Sequence, residues 1–170
     1  KTKTDGKNGQ DLLNAVDVKK DNSVFAANYK STQINEKLSE KLSEKPNLLS
    51  ENDGFTVIQI GGQYLKNEQA FYGHIAEDAI QHLHFQKAFV FPSAISLQQG
   101  AGDFVHELVN VQKAYIRNAD EVFILADSSK FETFAPIKLC DLFSYHVITD
   151  NKLSNETYDL YKKNHINIIR

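Results

Sequence analysis

The chain has 170 residues, of which 41% are hydrophobic and 24% are charged, and its formal net charge is −3 at pH 7. These values are typical of a globular domain and exclude an overall basic field that would recruit nucleic acid. No apolar run approaches the roughly 18 residues of a membrane-spanning helix, and one cysteine cannot form an internal disulfide, so we expect a reduced, cytoplasmic compartment.

The amino-terminal residues predict a lead-in before the folded domain. Residues 1–10 are polar and include two glycines, a composition typical of a disordered segment or linker. We expect the domain to occupy residues 11–170, with a short helix at residues 11–18 and a first buried strand at residues 23–27.

A polar loop and a helix follow this first strand. Asn28 and Lys30 lie in the loop, and Ser31 or Thr32 can cap the helix. The helix has one apolar stripe, formed by Ile34, Leu38 and Leu42. A free helix N-terminus after a strand suits a phosphate, and Lys30 adds charge, while an ordinary capped helix is the alternative.

The rest of the chain alternates between strand and helix patterns. Strands are predicted at residues 55–60, 87–91, 122–126, 145–150 and 166–169, and helices at residues 69–83, 105–118 and 155–163. Residues 98–104 predict a loop with two glycines, and residues 136–142 predict a short connection. This alternation indicates an α/β fold, with a mostly parallel sheet flanked by helices on both faces and right-handed crossovers.

Polar or small residues follow several of the predicted strands. Asp127-Ser128-Ser129-Lys130 ends the apolar run at residues 122–126, and Gly61-Gly62 ends the strand at residues 55–60. Ligands of open α/β sheets collect beyond the carboxyl ends of strands, and Lys130 supplies a charge that suits an anion. A solvated loop with a chance lysine is the alternative. We place the candidate pocket at this edge of the sheet.

The histidines do not predict a metal site. His74, His82 and His84 lie in or beside one predicted helix, without an i, i+4 histidine pair and a carboxylate base. We expect neither a bound metal nor a cofactor.

Residues 87–150 resemble the C-terminal sensor domain of DeoR-type bacterial transcription regulators. The residues that carry the resemblance are Ala119-Asp120-Glu121, Leu125-Ala126-Asp127-Ser128-Ser129-Lys130-Phe131 and Val147-Ile148-Thr149-Asp150. Supporting residues are Gly61-Gly62, Phe71-x-Gly73, Lys87-Ala88-Phe89, Gly100-x-x-Asp103-Phe104 and Lys113-Ala114-x-Ile116. Their order and spacing fit over roughly residues 55–170.

The resemblance implies a fold like that of ribose-5-phosphate isomerases and CoA-transferases, which is Rossmann-like. It implies a sensor that binds a phosphorylated sugar or related metabolite, in a regulator, usually a repressor, that forms homo-oligomers. Operator DNA is bound in this family by an N-terminal winged helix-turn-helix domain. Residues 1–22 are too few to hold one, so we expect DNA binding only through a domain missing from this sequence.

Two loops depart from the family pattern. The first family loop reads Asp-Ser-Gly-Thr-Thr, where this chain has Ala27-Asn28-Tyr29-Lys30-Ser31-Thr32; the family's Gly-Ala-Asp-Gly-Ile is here Phe91-Pro92-Ser93-Ala94-Ile95. By resemblance, we expect the phosphate near Lys30, Ser31 and Thr32, with Asp103 and Lys130 on sugar hydroxyls or phosphate. The expected effector-binding residues are Asn28, Lys30, Ser31, Thr32, Gly61, Gly62, Ser93, Asp103 and Lys130.

Two other functions remain open at this point, although we expect no enzyme. A sugar-phosphate isomerase would use Asp103 or Asp127 as general base and Lys130 as electrophile. The altered loops also fit a degenerate module that is retained only for oligomerisation.

Overall fold

The structure is a computed structural model that describes residues 25–27, 58–68 and 70–170, with residues 25–27 described by their backbone. The strands are β1 (Phe25–Ala27), β2 (Gln63–Leu65), β3 (Ala70–Tyr72), β4 (Phe85–Val90), β5 (Ala94–Ser96), β6 (Gly100–Asp103), β7 (Ala119–Leu125), β8 (Ile137–Cys140), β9 (His146–Ile148) and β10 (Asn167–Ile169). The helices are α1 (His74–Gln81), α2 (His106–Arg117), α3 (Asn155–Lys163) and a 3₁₀ turn at Ser128–Lys130.

Five strands form the main sheet, in the order β1-β4-β7-β9-β10, and every neighbouring pair is parallel. Strand β7 is central, and both β7 and its neighbour β4 hold apolar residues on both faces. The predicted α/β class with a parallel sheet is therefore confirmed.

The strands of this sheet follow one another in chain order, which determines where the helices lie. Right-handed crossovers that always step in the same direction leave their connections on the same face of the sheet. Accordingly, α1, α2 and α3 all contribute side chains to one buried cluster, through Ile80, Val109 and Tyr161 respectively. The described helices thus cover one face of the sheet, where the sequence predicted helices on both faces. That cluster also takes Val90, Val122, Ile124, Ala126 and Val147 from the strands.

The opposite face of the sheet carries a second, aromatic cluster. It contains Phe89, Phe91, Leu125 and Ile148, with Phe123 and Ile169 packed against them. Phe89, Phe123 and His146 occupy one row across three neighbouring strands. Their rings stack in sequence, with centroids 5.2 Å apart for the first pair and 4.8 Å for the second.

The segments that follow the carboxyl ends of β4 and β7 form a second sheet. Strands β5, β6 and β8 pair antiparallel in the order β5-β6-β8. The predictions of a loop at residues 98–104 and a connection at residues 136–142 were therefore wrong. Gly100 has φ 83°, and a Cβ there would collide with the carbonyl oxygen of Cys140. Gly100 thus permits the close pairing of β6 with β8, although the sequence predicted a loop there.

A hairpin precedes α1. Its second strand, β3, lies where the sequence predicted the start of one continuous helix from residue 69 to 83. Strand β2 pairs antiparallel with β3, and the helix begins only at His74. The break falls at Gly73, whose φ of 87° suits glycine and cannot continue a helix. Residues 58–60, the described end of the strand predicted at 55–60, belong to no strand.

The other predicted elements have two outcomes. Strands β1, β4, β7, β9 and β10 and helices α2 and α3 lie where strands and helices were predicted, with small shifts at their ends. The helices predicted at residues 11–18 and after Thr32 lie outside the described residues. Within the described part of the chain, every helix is too short or too polar to cross a membrane.

Candidate functional site

The carboxyl ends of the five parallel strands meet at one edge of the main sheet, here called the carboxyl edge. In many open α/β sheets the ligand crevice at this edge lies where the strand order reverses. The described strands contain no such reversal. Instead, the segments that follow β4 and β7 form the second, smaller sheet (β5, β6 and β8), called here the small sheet, beside the carboxyl edge.

The exit of β7 is an ordered polar turn. Asp127 lies just before the 3₁₀ turn and accepts hydrogen bonds from the backbone N–H and the hydroxyl of Ser129, the former at 2.9 Å. The Lys130 ammonium lies 3.7 Å from Oδ2 of Asp127, and these side chains are 21% and 17% exposed. The turn therefore holds the half-buried Lys130 ammonium beside Asp127.

The exit of β9 is connected to this turn. Asp150 is 6% exposed and accepts hydrogen bonds from the backbone N–H groups of Ser128, at 3.4 Å, and Lys152, at 3.0 Å. The Asp150 carboxylate therefore links the turn after β7 to the loop after β9, which is a structural role at the carboxyl edge.

Asp103 lies at the end of β6, immediately before α2, and is fully buried. Its Oδ1 accepts hydrogen bonds from the backbone N–H groups of Phe104, at 2.5 Å, and Val105, at 3.1 Å. The Ser93 hydroxyl lies 3.5 Å from the same oxygen. These contacts fix the orientation of the Asp103 carboxylate beside the exit of β4.

One short backbone connection brings Lys130 close to these two residues. Phe131 forms an isolated parallel bridge with Ile95 of β5, and the Thr133 N–H donates to the Ile95 carbonyl oxygen at 3.4 Å. Ser93 lies two residues before Ile95, and Lys130 directly precedes Phe131. The structure thus brings Ser93, Asp103 and Lys130 to adjoining loops.

The other predicted site residues have different positions. Gly62 does not end a strand; its φ is 141°, and a Cβ there would lie 3.1 Å from the Cβ of Ala76 in the first turn of α1. Gly61 precedes it, and a Cβ there would meet no atom within 4 Å. Asn28, Lys30, Ser31 and Thr32 lie outside the described residues.

Three side chains near the carboxyl edge were missed by the sequence interpretation. Gln112 is fully buried in α2, and its Oε1 accepts the Phe91 N–H at 2.9 Å. Tyr161 of α3 donates its hydroxyl hydrogen to Oε1 of Glu132 at 2.6 Å. The partners in each pair are 21 or 29 residues apart, so no local pattern indicates them.

A cleft of about 260 Å³ lies outside this cluster of predicted residues. It lies against the small sheet and is lined in part by Gln98, Gln99, Phe134 and Lys138, all exposed. Ser93, Asp103 and Lys130 do not line it. Its polar side chains are not fixed by burial, so we place the candidate site at the carboxyl edge.

The Cys140 thiol and the Tyr161 hydroxyl remain protonated at neutral pH. Burial raises the pKa of the Cys140 thiol to about 12, with a smaller contribution from the charge of Asp141. Burial and the contact with Glu132 raise the pKa of Tyr161. Among the described residues, no group of three or more histidine, cysteine or acidic side chains could hold a metal ion.

Comparison with known proteins gives a family match over residues 42–151, to the family described as the DeoR C terminal sensor domain. The chain is 30% identical over 108 residues to the lactose phosphotransferase system repressor of Lactococcus lactis, covering 63% of this chain and 42% of the relative. It is 25% identical over 119 residues to the L-fucose operon activator of Haemophilus influenzae, covering 70% and 48%.

A third relative is the HTH-type transcriptional repressor GlcR of Bacillus subtilis, 23% identical over 124 residues, which covers 72% of this chain and 47% of the relative. All three relatives are transcriptional regulators by name. The chain spans less than half the length of each of them.

Proposed function

Because the chain belongs to the DeoR family of transcriptional regulators, whose sensor domain it carries, we propose that its carboxyl edge binds a phosphorylated sugar or a related metabolite. The observation that carries this proposal is the approach of Ser93, Asp103 and Lys130 in adjoining loops. Two of the relatives are named for carbohydrates, lactose and L-fucose, which supports an effector of this class.

The three side chains offer complementary chemistry to such a ligand. The Ser93 hydroxyl can donate to or accept from a sugar hydroxyl. The Asp103 carboxylate is fully buried and would orient the Ser93 hydroxyl, which lies 3.5 Å from its Oδ1. Lys130 supplies a compact positive charge for a phosphate, from a position that is largely shielded from solvent. A shielded cation attracts an anion more strongly than an exposed one, because the effective dielectric constant is lower.

The remaining predicted residues complete the proposed site. Lys30, Ser31 and Thr32 would hold the phosphate, with Asn28 beside them, since β1 ends at the same edge as β4. Gly61 and Gly62 would allow the backbone to approach the ligand closely.

Effector binding would act on transcription through the rest of the regulator. A ligand that prefers one arrangement of an oligomer shifts the population towards it, and this changes the spacing of attached DNA-binding domains. We propose that the domain works in this way within a homo-oligomeric repressor.

The test is a panel of sugar phosphates, with the corresponding free sugars as controls, in thermal shift and calorimetric titrations. A ligand at 100 times its Kd should stabilise the domain by about 2.7 kcal/mol, or roughly 5–11 °C for a chain of this size. Lys130→Met should weaken binding of the phosphorylated ligand. Lys138→Met is the matched control, because the Lys138 side chain is exposed and pairs with Asp141.

The outcomes separate this proposal from the alternatives. A folded wild-type domain that shows no stabilisation with any sugar phosphate near millimolar concentration would exclude this ligand class. If it is nevertheless a stable oligomer by light scattering, an oligomerisation module explains the chain better. Turnover of a bound sugar phosphate that is lost in Asp103→Asn would instead indicate an isomerase.

A further inference from the structure

Helix α3 contacts the loop that follows Lys130. Tyr161 is fully buried, and its hydroxyl donates to the carboxylate of Glu132 at 2.6 Å. Its ring also packs edge-on against Phe131, with centroids 5.2 Å apart. The two residues after Lys130 are therefore both held by one side chain of a different element.

The backbone of this loop is strained where the contact is made. Glu132 has φ 53°, in the left-handed region that favours glycine. A glutamate there persists only if its surroundings compensate for the strain. The hydrogen bond from the buried Tyr161 hydroxyl to the Glu132 carboxylate is charge-assisted and contributes to this compensation.

Two further contacts anchor the loop. The Thr133 hydroxyl donates to the carbonyl oxygen of Lys130 at 2.7 Å, and the Phe131–Ile95 bridge joins the loop to β5. The position of the Lys130 backbone, and so the origin of its long side chain, is fixed relative to Ser93 and Asp103 by these contacts together.

We propose that Tyr161 and Glu132 are positioning residues, which hold Lys130 at the effector site across from Ser93 and Asp103. This inference rests on the proposed function, since it names what keeps the cation of that site in place. Neither side chain needs to touch the ligand. The pair connects α3 to the site, so a movement of α3 would move Lys130.

The experiment measures effector affinity well below the melting temperature, in single and double variants. Tyr161→Phe keeps the ring on Phe131 and removes the hydroxyl, and its Kd should rise about tenfold. Glu132→Gln keeps an acceptor for the hydroxyl, and its Kd should rise much less. Tyr158→Phe is the control on the same helix, because the Tyr158 ring packs on Arg170.

A double-mutant cycle distinguishes positioning from a general loss of structure. In a Lys130→Met background, Tyr161→Phe should change Kd by less than about twofold, because its effect acts through Lys130. An equal effect in both backgrounds would overturn the inference, as would an unchanged Kd in Tyr161→Phe alone.

Amide hydrogen exchange gives a readout that needs no ligand. Exchange at residues 127–133 should become faster in Tyr161→Phe and stay unchanged in Tyr158→Phe. Wild-type protein that binds no sugar phosphate would refute the proposed function and the positioning role with it. Binding that is insensitive to Tyr161→Phe would refute the positioning role alone.

Discussion

Replacing Gly100 by alanine tests the glycine-dependent pairing of β6 with β8. Gly100 has φ 83°, and the nearest neighbours of a Cβ there would be backbone atoms of Cys140 and Asp141, at the end of β8. A Cβ would collide with the Cys140 carbonyl oxygen and lie 3.1 Å from the Cα of Asp141. Because a carbonyl oxygen within a strand cannot rotate away, β6 and β8 must separate.

The expected loss has two parts. A non-glycine residue in the left-handed region costs about 1–2 kcal/mol, and forcing an atom into a packed region costs about 1–3 kcal/mol. The sum is about 2–5 kcal/mol, a large fraction of the roughly 5–15 kcal/mol by which domains are stable. For 170 residues this corresponds to a fall in Tm of roughly 4–20 °C.

Chemical denaturation of wild type, Gly100→Ala and Gly61→Ala measures this difference. Gly61 is the matched control, because a Cβ there meets no atom within 4 Å. Gly61→Ala should change the free energy of unfolding by less than about 1 kcal/mol. If Gly100→Ala were as stable as Gly61→Ala, the close pairing of β6 with β8 would be wrong, and so would the placement of Asp103 at the end of β6.

Two further predictions concern buried polar and ionisable groups. The Thr149 hydroxyl is buried and has no hydrogen-bond partner among the residues that the structure describes, so Thr149→Val should stabilise the domain by about 1 kcal/mol in urea denaturation. Thr133→Val, which loses the bond to the Lys130 carbonyl oxygen, should destabilise it instead, and the same sign in both variants would contradict this reasoning. Burial raises the pKa of Cys140 from 9.0 to about 12, so between those pH values the unfolded state loses a proton that the folded state keeps. Stability should therefore fall as pH rises above about 9, by up to about 1.4 kcal/mol per pH unit from this group. The fall between pH 9 and 10 should be smaller in Cys140→Ala, and an identical slope would show that Cys140 does not contribute.

The main sheet could be predicted from the sequence because its strands are continuous apolar runs. Residues 122–126 are apolar on both alternating faces, as is typical of a covered parallel strand, and they lie almost entirely within β7. Helix α3 was predicted at its observed bounds, and the structure shows that Ser154 caps it by accepting the Thr157 N–H.

The small sheet could not be predicted because its strands lack the pattern of strands. Strand β6 is Gly-Ala-Gly-Asp, and all four residues are buried. Its register depends on contact with β8 some 40 residues later, and not on alternation of apolar and polar residues. The hairpin β2–β3 was missed for a different reason. Phe71, Ile75 and Ala79 keep helical spacing across Gly73, although the backbone changes direction there.

The candidate site was predictable only where its residues follow strands or match a family motif. Lys130 and Asp103 were predicted as site residues in this way, and the structure places the Ser93 hydroxyl 3.5 Å from Asp103. Gln112 and Tyr161, which bond to Phe91 and Glu132 near these residues, lie on helices and are buried. In the sequence they cannot be distinguished from other core positions, since their partners are set only by the tertiary fold.

The chain-order arrangement of the main sheet also bears on how the domain is made. Synthesis proceeds from the amino terminus, so β1, β4, β7, β9 and β10 leave the ribosome in the order in which they pair. Each described strand can therefore add to the exposed edge of its predecessor, and none of these strands has to insert between two that are already paired. The sheet can grow while the chain is being translated, and its last strand, β10, is added only when the final residues of this sequence emerge.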